Sequence, residues 1–273
     1  MRPSDVLHRA TANLERHGVE SPRTSAEVLL AGVLETDRAG LYARAEGLST
    51  AQARAFGRAL CQRCTGVPLQ HLTGTQAFRH LELIVRPGVF VPRPETEVLV
   101  DVALQTIPGL AVDVGTGTGA VALAVRHERP RATVFATDLS PESVALAKEN
   151  ARRLGLEVTV WEGDLLAPLP PELEGRIDLV VSNPPYVSEH DRASLPPEVR
   201  ADPVLALLGG TTVHRRLAAE SPRWLRPGGA LVVEVGDGQA DEVRAIFSEH
   251  GFGGVHVVRD LAGRDRVVAG FAP

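Results

Sequence analysis

Beginning at residue 109, short apolar strands alternate with helical segments, and few architectures accept that order. LAVDV (110–114) is followed by a glycine-rich turn and the helix-like AVALAVRHE. ATVFATD (132–138) leads into a helix from Ser140-Pro141 to about residue 154, and EVTVWEGD (157–164) and IDLVVSN (177–183) are the next strands. After a long loop come a helix near 211–225, the strand ALVVEVG (230–236), a helix from about 239, and the closing pair VHVVRD and DRVVAGF. Strands this uniformly apolar are buried on both faces, and helices between them make the strands parallel. The expectation is an α/β domain with a doubly wound, mostly parallel sheet and an antiparallel final pair. Ligands of such sheets sit beyond the carboxyl ends of the strands, which is where the informative motifs fall.

The first third of the chain obeys a different rule. Val6, Leu7, Ala10 and Leu14 recur at helical spacing, as do Val28, Leu29, Leu30, Val33 and Leu34, and then Ala53, Phe56 and Leu60 after Ser49. With no β-alternation, residues 1–72 read as a small helical bundle. Phe78 to Val85 suits a short hairpin, so 73–92 is a linker and 93–273 the α/β domain. Cys61 and Cys64 are the only cysteines; one C-x-x-C inside a helix is half of a zinc site, so inert thiols are expected and no metal. No apolar run approaches the roughly 18 residues of a membrane span. The opening MRPSDVLHRA has no apolar signal core, so the expectation is a cytoplasmic enzyme. The net charge of −5 argues against a protein devoted to gripping nucleic-acid phosphates.

The turn after the first sheet strand reads Asp113-Val-Gly115-Thr116-Gly117-Thr118-Gly119-Ala120. Glycines allow a tight turn and bring backbone N–H groups and a helix N-terminus against a ligand. Asp138 ends the second strand, 19 residues after Gly119, where a carboxylate would accept from ribose hydroxyls. Both features serve NAD and S-adenosylmethionine (AdoMet) alike. Asp164, with Leu165 beside it, ends the third strand; it would accept from an adenine amino group or serve as a turn or cap aspartate.

Asn183-Pro184-Pro185-Tyr186 ends the fourth strand. The prolines stiffen the turn and contribute carbonyls without N–H groups, the asparagine adds an amide oxygen, and the tyrosine a flat face. Such a corner holds a planar –NH2 by its hydrogens and aims the nitrogen at a neighbouring electrophile. Asn183, Pro184 and Tyr186 are therefore the candidate catalytic residues, with Pro185 completing the substrate corner.

The glycine loop, the acid after strand two and NPPY together resemble a class I AdoMet-dependent N-methyltransferase. More specifically, VPLQHLTGTQAFRHLELIVRPGVFVPRPETE (67–97), DPVLALLGG (202–210), GGALVVEVG (228–236) and DLAGRDRVV (260–268) resemble the release factor glutamine methyltransferases, the HemK/PrmC family. Asp202 stands where that family more often has glutamate, and His71 where an aromatic residue is common. The resemblance implies a seven-stranded sheet. It implies AdoMet contacts from Asp113, Gly115, Thr116, Gly117, Thr118 and Gly119 at the methionine portion, Asp138 at the ribose, Asp164 and Leu165 at the adenine, and Asn183. Arg93, Glu95 and Glu97 would lie near the cofactor rim. It implies methyl transfer to the glutamine of the Gly-Gly-Gln motif of class I release factors, S-adenosylhomocysteine as product, docking through the helical domain, a monomer, and no metal, membrane or stable nucleic-acid partner. On the residues alone, three rivals stand. They are a nucleic-acid amino methyltransferase, an NAD-dependent oxidoreductase that leaves NPPY without a role, and a non-catalytic binding domain.

Overall fold

The computed structural model describes residues 3–190 and 195–273. The chain forms two compact units, residues 1–75 with 196–201, and residues 76–195 with 202–273.

The first unit is helical: α1 (Pro3–Arg16), α2 (Pro22–Leu34), α3 (Arg38–Ala43), α4 (Thr50–Cys64) and α5 (Leu69–Thr73). The periodic apolar positions pack together as expected, with Leu7, Leu14, Leu29, Leu30 and Phe56 at the centre. Ser49 forms a capping box with Gln52 at the start of α4. Ser21 makes no cap bond, and Pro22, whose fixed φ suits a first turn, starts α2 instead. The short helices α3 and α5 were not anticipated, because six and five residues are too few to show a period. Cys61 and Cys64 are free thiols, and burial pushes the Cys64 thiol up, away from its reactive form.

In the second unit β1 (Thr75–Phe78) and β2 (Leu81–Ile84) form a two-stranded hairpin. The α/β layers follow as α6 (Thr96–Gln105), β3 (Leu110–Val114), α7 (Ala120–Glu128), β4 (Thr133–Asp138), α8 (Pro141–Leu154), β5 (Val158–Glu162) and β6 (Ile177–Ser182). Two short helices, α9 (Pro197–Arg200, part of the first unit) and α10 (Val204–Leu207), precede α11 (Thr212–Trp224), β7 (Leu225–Glu234), α12 (Ala240–Glu249), β8 (Gly253–Arg259) and β9 (Asp265–Phe271). Seven strands make one sheet in the order β5-β4-β3-β6-β7-β9-β8, parallel except where β9 pairs with β7 and β8. The α/β reading and the antiparallel close therefore hold. One boundary moved: β7 begins at Leu225, five residues earlier than its apolar run, because Arg226-Pro-Gly-Gly lies within the strand.

One apolar layer joins α6, α7 and α8 to one sheet face through Leu99, Leu123 and Ala147; the other joins α11 and α12 to the opposite face through Leu217, Val243 and Phe247. Burying a Leu or Phe side chain contributes roughly 1.5–3 kcal/mol, so the two layers hold the sheet rigid beneath whatever its carboxyl edge carries. Asn150, fully buried on α8, bonds both Ile84 main-chain groups and donates to the Thr118 carbonyl at 2.9 Å, tying the hairpin to the glycine loop.

Candidate active site

The strand register sets the site. Val114 pairs with Thr137 on one side and Ser182 on the other, and Ser182 pairs with Val233. The residues that follow, Asp138, Gly115, Asn183 and Glu234, therefore leave β4, β3, β6 and β7 in one row along the carboxyl edge. Four motifs separated by up to about a hundred residues become neighbours through pairing alone.

Three glycines shape the loop. Gly115, Gly117 and Gly119 all have positive φ, a region costly for other residues. An added Cβ at Gly115 or Gly117 would enter open space, so these two present bare backbone to a ligand. Asp138 braces the loop, its Oδ2 accepting from Gly117 N at 2.8 Å and its Oδ1 from Ser140 N at 2.9 Å. Burial pushes the Asp138 carboxyl up. Asp113 lies inside the loop, 1% exposed, accepting from the Thr116 hydroxyl at 2.6 Å and Ala122 N at 3.1 Å. Its burial pushes the carboxyl to about 7. Thr116 and Thr118 are buried too, so the loop offers main chain rather than side chains to the cleft.

Asp164 is exposed and paired with Arg216 through two bonds of 3.1 and 2.9 Å. Leu165 beside it has φ 47°, and its carbonyl accepts from the Thr137 hydroxyl at 2.8 Å. In the PRPETE segment, Arg93 pairs with the buried carboxylate of Asp202, and Glu97 accepts from Arg79 N at 3.0 Å. Those two side chains serve the local fold. Thr96 of the same segment, unremarked in the sequence, reaches the site.

The Asn183 corner is held from outside. Asn183 Nδ2 donates to Thr96 Oγ1 at 3.1 Å, which turns Oδ1 the other way. Tyr186 donates its hydroxyl to Glu234 Oε1 at 3.3 Å, and its carbonyl accepts from Gln239 Nε2 at 2.8 Å. Gly209 closes the corner from behind; its N–H bonds the Val187 carbonyl at 3.0 Å, and a Cβ there would stand 2.2 Å from the Pro185 oxygen. Behind Tyr186 lies a buried polar group. Glu234 is 1% exposed and pushed to about 7, chiefly by burial. Arg266, 8% exposed, carries its charge beside it, and His214 bonds the Glu234 carbonyl at 2.8 Å. Glu234 lies within GGALVVEVG and Arg266 within DLAGRDRVV, but their inward aim is not legible in a strand pattern, where charged residues usually face water.

Comparison with known proteins places the chain in a family. Residues 5–74 match the PrmC N-terminal domain, and residues 80–196 match the methyltransferase small domain. A release factor glutamine methyltransferase of Deinococcus radiodurans is 44% identical over 277 residues, covering 98% of both chains. The chain belongs to the release factor glutamine methyltransferase family. A Moorella thermoacetica member of that family is 42% identical, with 96% of this chain and 95% of that one covered. A crystal structure of a methyltransferase from Pyrococcus furiosus shares the fold, with TM-score 0.54, 19% identity, and coverage of 82% of this chain and 98% of that one. These relatives are named as methyltransferases, which favours neither the NAD-dependent nor the non-catalytic alternative. Among the described residues no group of His, Cys, Asp and Glu side chains is arranged to hold a metal, and no helix is long and apolar enough to cross a membrane.

Proposed function

We propose that this enzyme transfers the methyl group of AdoMet to the side-chain amide nitrogen, N5, of the glutamine in the Gly-Gly-Gln motif of class I peptide chain release factors. Supporting it are the family, whose members are named for methylating a release factor glutamine, and the site. The observation that carries the reading is the orientation of Asn183. With its N–H engaged by Thr96, its oxygen is left as an acceptor one strand away from the glycine loop.

The loop fits AdoMet: Gly115 and Gly117 leave open space beside their backbone for the methionine portion, and Asp138 stands at the row's end for the ribose hydroxyls. Asp164 and Leu165 are assigned to the adenine. When bound, AdoMet supplies a methyl group already activated by its sulfonium sulfur. The protein's work is then positioning. The Asn183 oxygen and the Pro184 carbonyl take the two hydrogens of a flat amide, Pro185 stiffens the corner, and the Tyr186 ring packs on the amide plane. A glutamine nitrogen is a poor nucleophile because its lone pair is delocalised, and two acceptors favour the positive charge that grows on it during attack. Alignment of this kind reaches effective molarities of about 10⁵–10⁸ M, worth roughly 7–11 kcal/mol of barrier. The nitrogen's extra proton leaves to solvent, so no general base is assigned. The enzyme acts in the cytoplasm as a monomer, with the helical unit, residues 1–72, docking the release factor and no metal taking part.

The test is incubation with labelled AdoMet and, separately, a purified class I release factor, total RNA and genomic DNA, followed by mass spectrometry of labelled species. Label on the glutamine of Gly-Gly-Gln is expected. Label confined to nucleic acid would replace this reading with the amino methyltransferase of bases.

A further inference from the structure

We propose that Glu234 and Thr96 are positioning residues that determine which end of the Asn183 amide faces the substrate. This rests on the amide-holding reading of Asn183 given above and adds the groups that make it an acceptor.

An asparagine side chain is nearly symmetric in shape, and its oxygen and nitrogen differ only in the bonds they make. Packing alone therefore leaves two orientations of similar fit. In one, Oδ1 meets the substrate –NH2; in the other, two N–H groups face two N–H groups, and the substrate is repelled. A hydroxyl such as Thr96 does not choose between them, since it either accepts from Nδ2 or donates to Oδ1. The choice passes to whatever fixes the hydroxyl hydrogen. The Thr96 hydroxyl stands beside the Glu234 carboxylate, whose Oε2 is buried and makes no hydrogen bond to any other group among the described residues. An ionised carboxylate can only accept. An anion beside the hydroxyl draws its hydrogen, which leaves the Thr96 oxygen to accept from Asn183 at 3.1 Å. The same carboxylate accepts from the Tyr186 hydroxyl, so one buried anion orients both side chains of the corner. The register makes this possible, because Ser182 and Val233 pair and place Asn183 and Glu234 next to each other.

Every element around Glu234 bears on its charge. Arg266 of β9 favours the anion, and its guanidinium is shared with Asp260 at 3.2 Å. Glu95, before α6, opposes it, and Tyr186 donates to it. His214 of α11, pushed down by burial, meets the Glu234 main chain. With the Glu234 carboxyl pushed to about 7, the anion is lost as pH falls through that value. The protonated acid no longer dictates the Thr96 hydrogen, and methyl transfer should fall with it.

The experiment compares wild-type enzyme with Thr96→Val, Thr96→Ser and Glu234→Gln, using a purified release factor and AdoMet. Thr96→Val keeps shape and removes the hydroxyl; kcat should drop about tenfold or more, the scale of one hydrogen bond, while AdoMet affinity by calorimetry and the melting temperature stay close to wild type. Thr96→Ser restores the hydroxyl and should recover the rate to within about threefold. Wild-type kcat should show an acid limb near pH 7, absent from Glu234→Gln. A Thr96→Val enzyme as fast as wild type, or an acid limb retained in Glu234→Gln, would overturn the proposal. A second readout needs no substrate: the Asn183 side-chain amide signals, followed by nitrogen-15 NMR in the full-length protein, should change across the same pH range and in Thr96→Val. Signals insensitive to both would refute the orientation argument. A wild-type enzyme that left the release factor unmodified would instead count against the proposed substrate, with the NMR result still deciding the role of Glu234.

Discussion

The glycine loop and the Asn183 corner stand side by side on adjacent strands, yet they are stabilised in opposite ways. The loop is held from close by: Asp113 bonds Thr116 and Ala122 within ten residues, and its other partners, Thr137, Asp138 and Asn150, come from the strand and helix that follow. The corner makes its decisive bonds to Thr96, Glu234, Gln239 and Gly209, none of them within twenty residues of it. Backbone groups have fixed polarity, so a loop that presents main chain needs only the right dihedral angles and nearby anchors. A side-chain amide has two interchangeable ends, so it needs a partner to orient it. A site that binds through main chain can be local in sequence, whereas one that works through a side-chain amide draws on the whole fold.

The comparison breaks most sharply at Asn183. Asn183→Ala should lower methyl transfer by at least about a hundredfold, the scale of losing a transition-state hydrogen bond, with AdoMet titrations nearly unchanged. Near-normal turnover would remove the corner's role. Asp138→Ala tests the other half: AdoMet affinity should weaken by about tenfold or more, the cost of a hydrogen bond to a charged group, and unchanged titration would contradict the ribose assignment. Gly209→Ala asks whether the corner is held from outside. A Cβ 2.2 Å from the Pro185 oxygen must displace backbone, so a loss of about 1–3 kcal/mol in denaturant unfolding is expected.

A smaller effect concerns the loop's own anchor. The Asp113 carboxyl is pushed to about 7 in the fold against roughly 3.9 in an unfolded chain. Between those values the folded state holds the extra proton, so this group's contribution to stability falls as pH rises through the window. Asp113→Asn keeps an acceptor and does not titrate; its melting temperature should gain on wild type from about pH 5 to about pH 8. The smallest expected effect is at Arg216. Its pair with Asp164 is half-exposed, so Arg216→Ala should change stability by at most about 1 kcal/mol. If Asp164 holds the adenine, Asp164→Ala should weaken AdoMet binding more than Arg216→Ala does; equal titrations would leave Asp164 as a surface partner of Arg216.

Much of this was legible from the chain alone. Continuous apolar runs identified the buried strands, helical spacing identified the bundle, and the motifs at strand ends pointed to the carboxyl edge. What escaped has physical causes. Helices α3 and α5 are shorter than the period that would reveal them. Within PRPETE nothing in the spacing says that Arg93 engages Asp202 and Glu97 the main chain of Arg79. Thr96 between them gave no signal, because a threonine at a helix start is ordinary. Glu234 interrupts an apolar run that otherwise reads as buried core, and nothing local says whether its carboxylate turns outward or in.

The sequence by itself determined the order of strands and helices, the backbone character of the cofactor loop and the chemical identity of the acceptor corner, because these depend on residue type and short-range spacing. Only the tertiary structure decided that Asn183 faces its site with its oxygen. That polarity comes from a hydroxyl 87 positions away and from a buried carboxylate on the neighbouring strand, and hydrogen-bond direction is a property of assembled partners, not of any segment of chain.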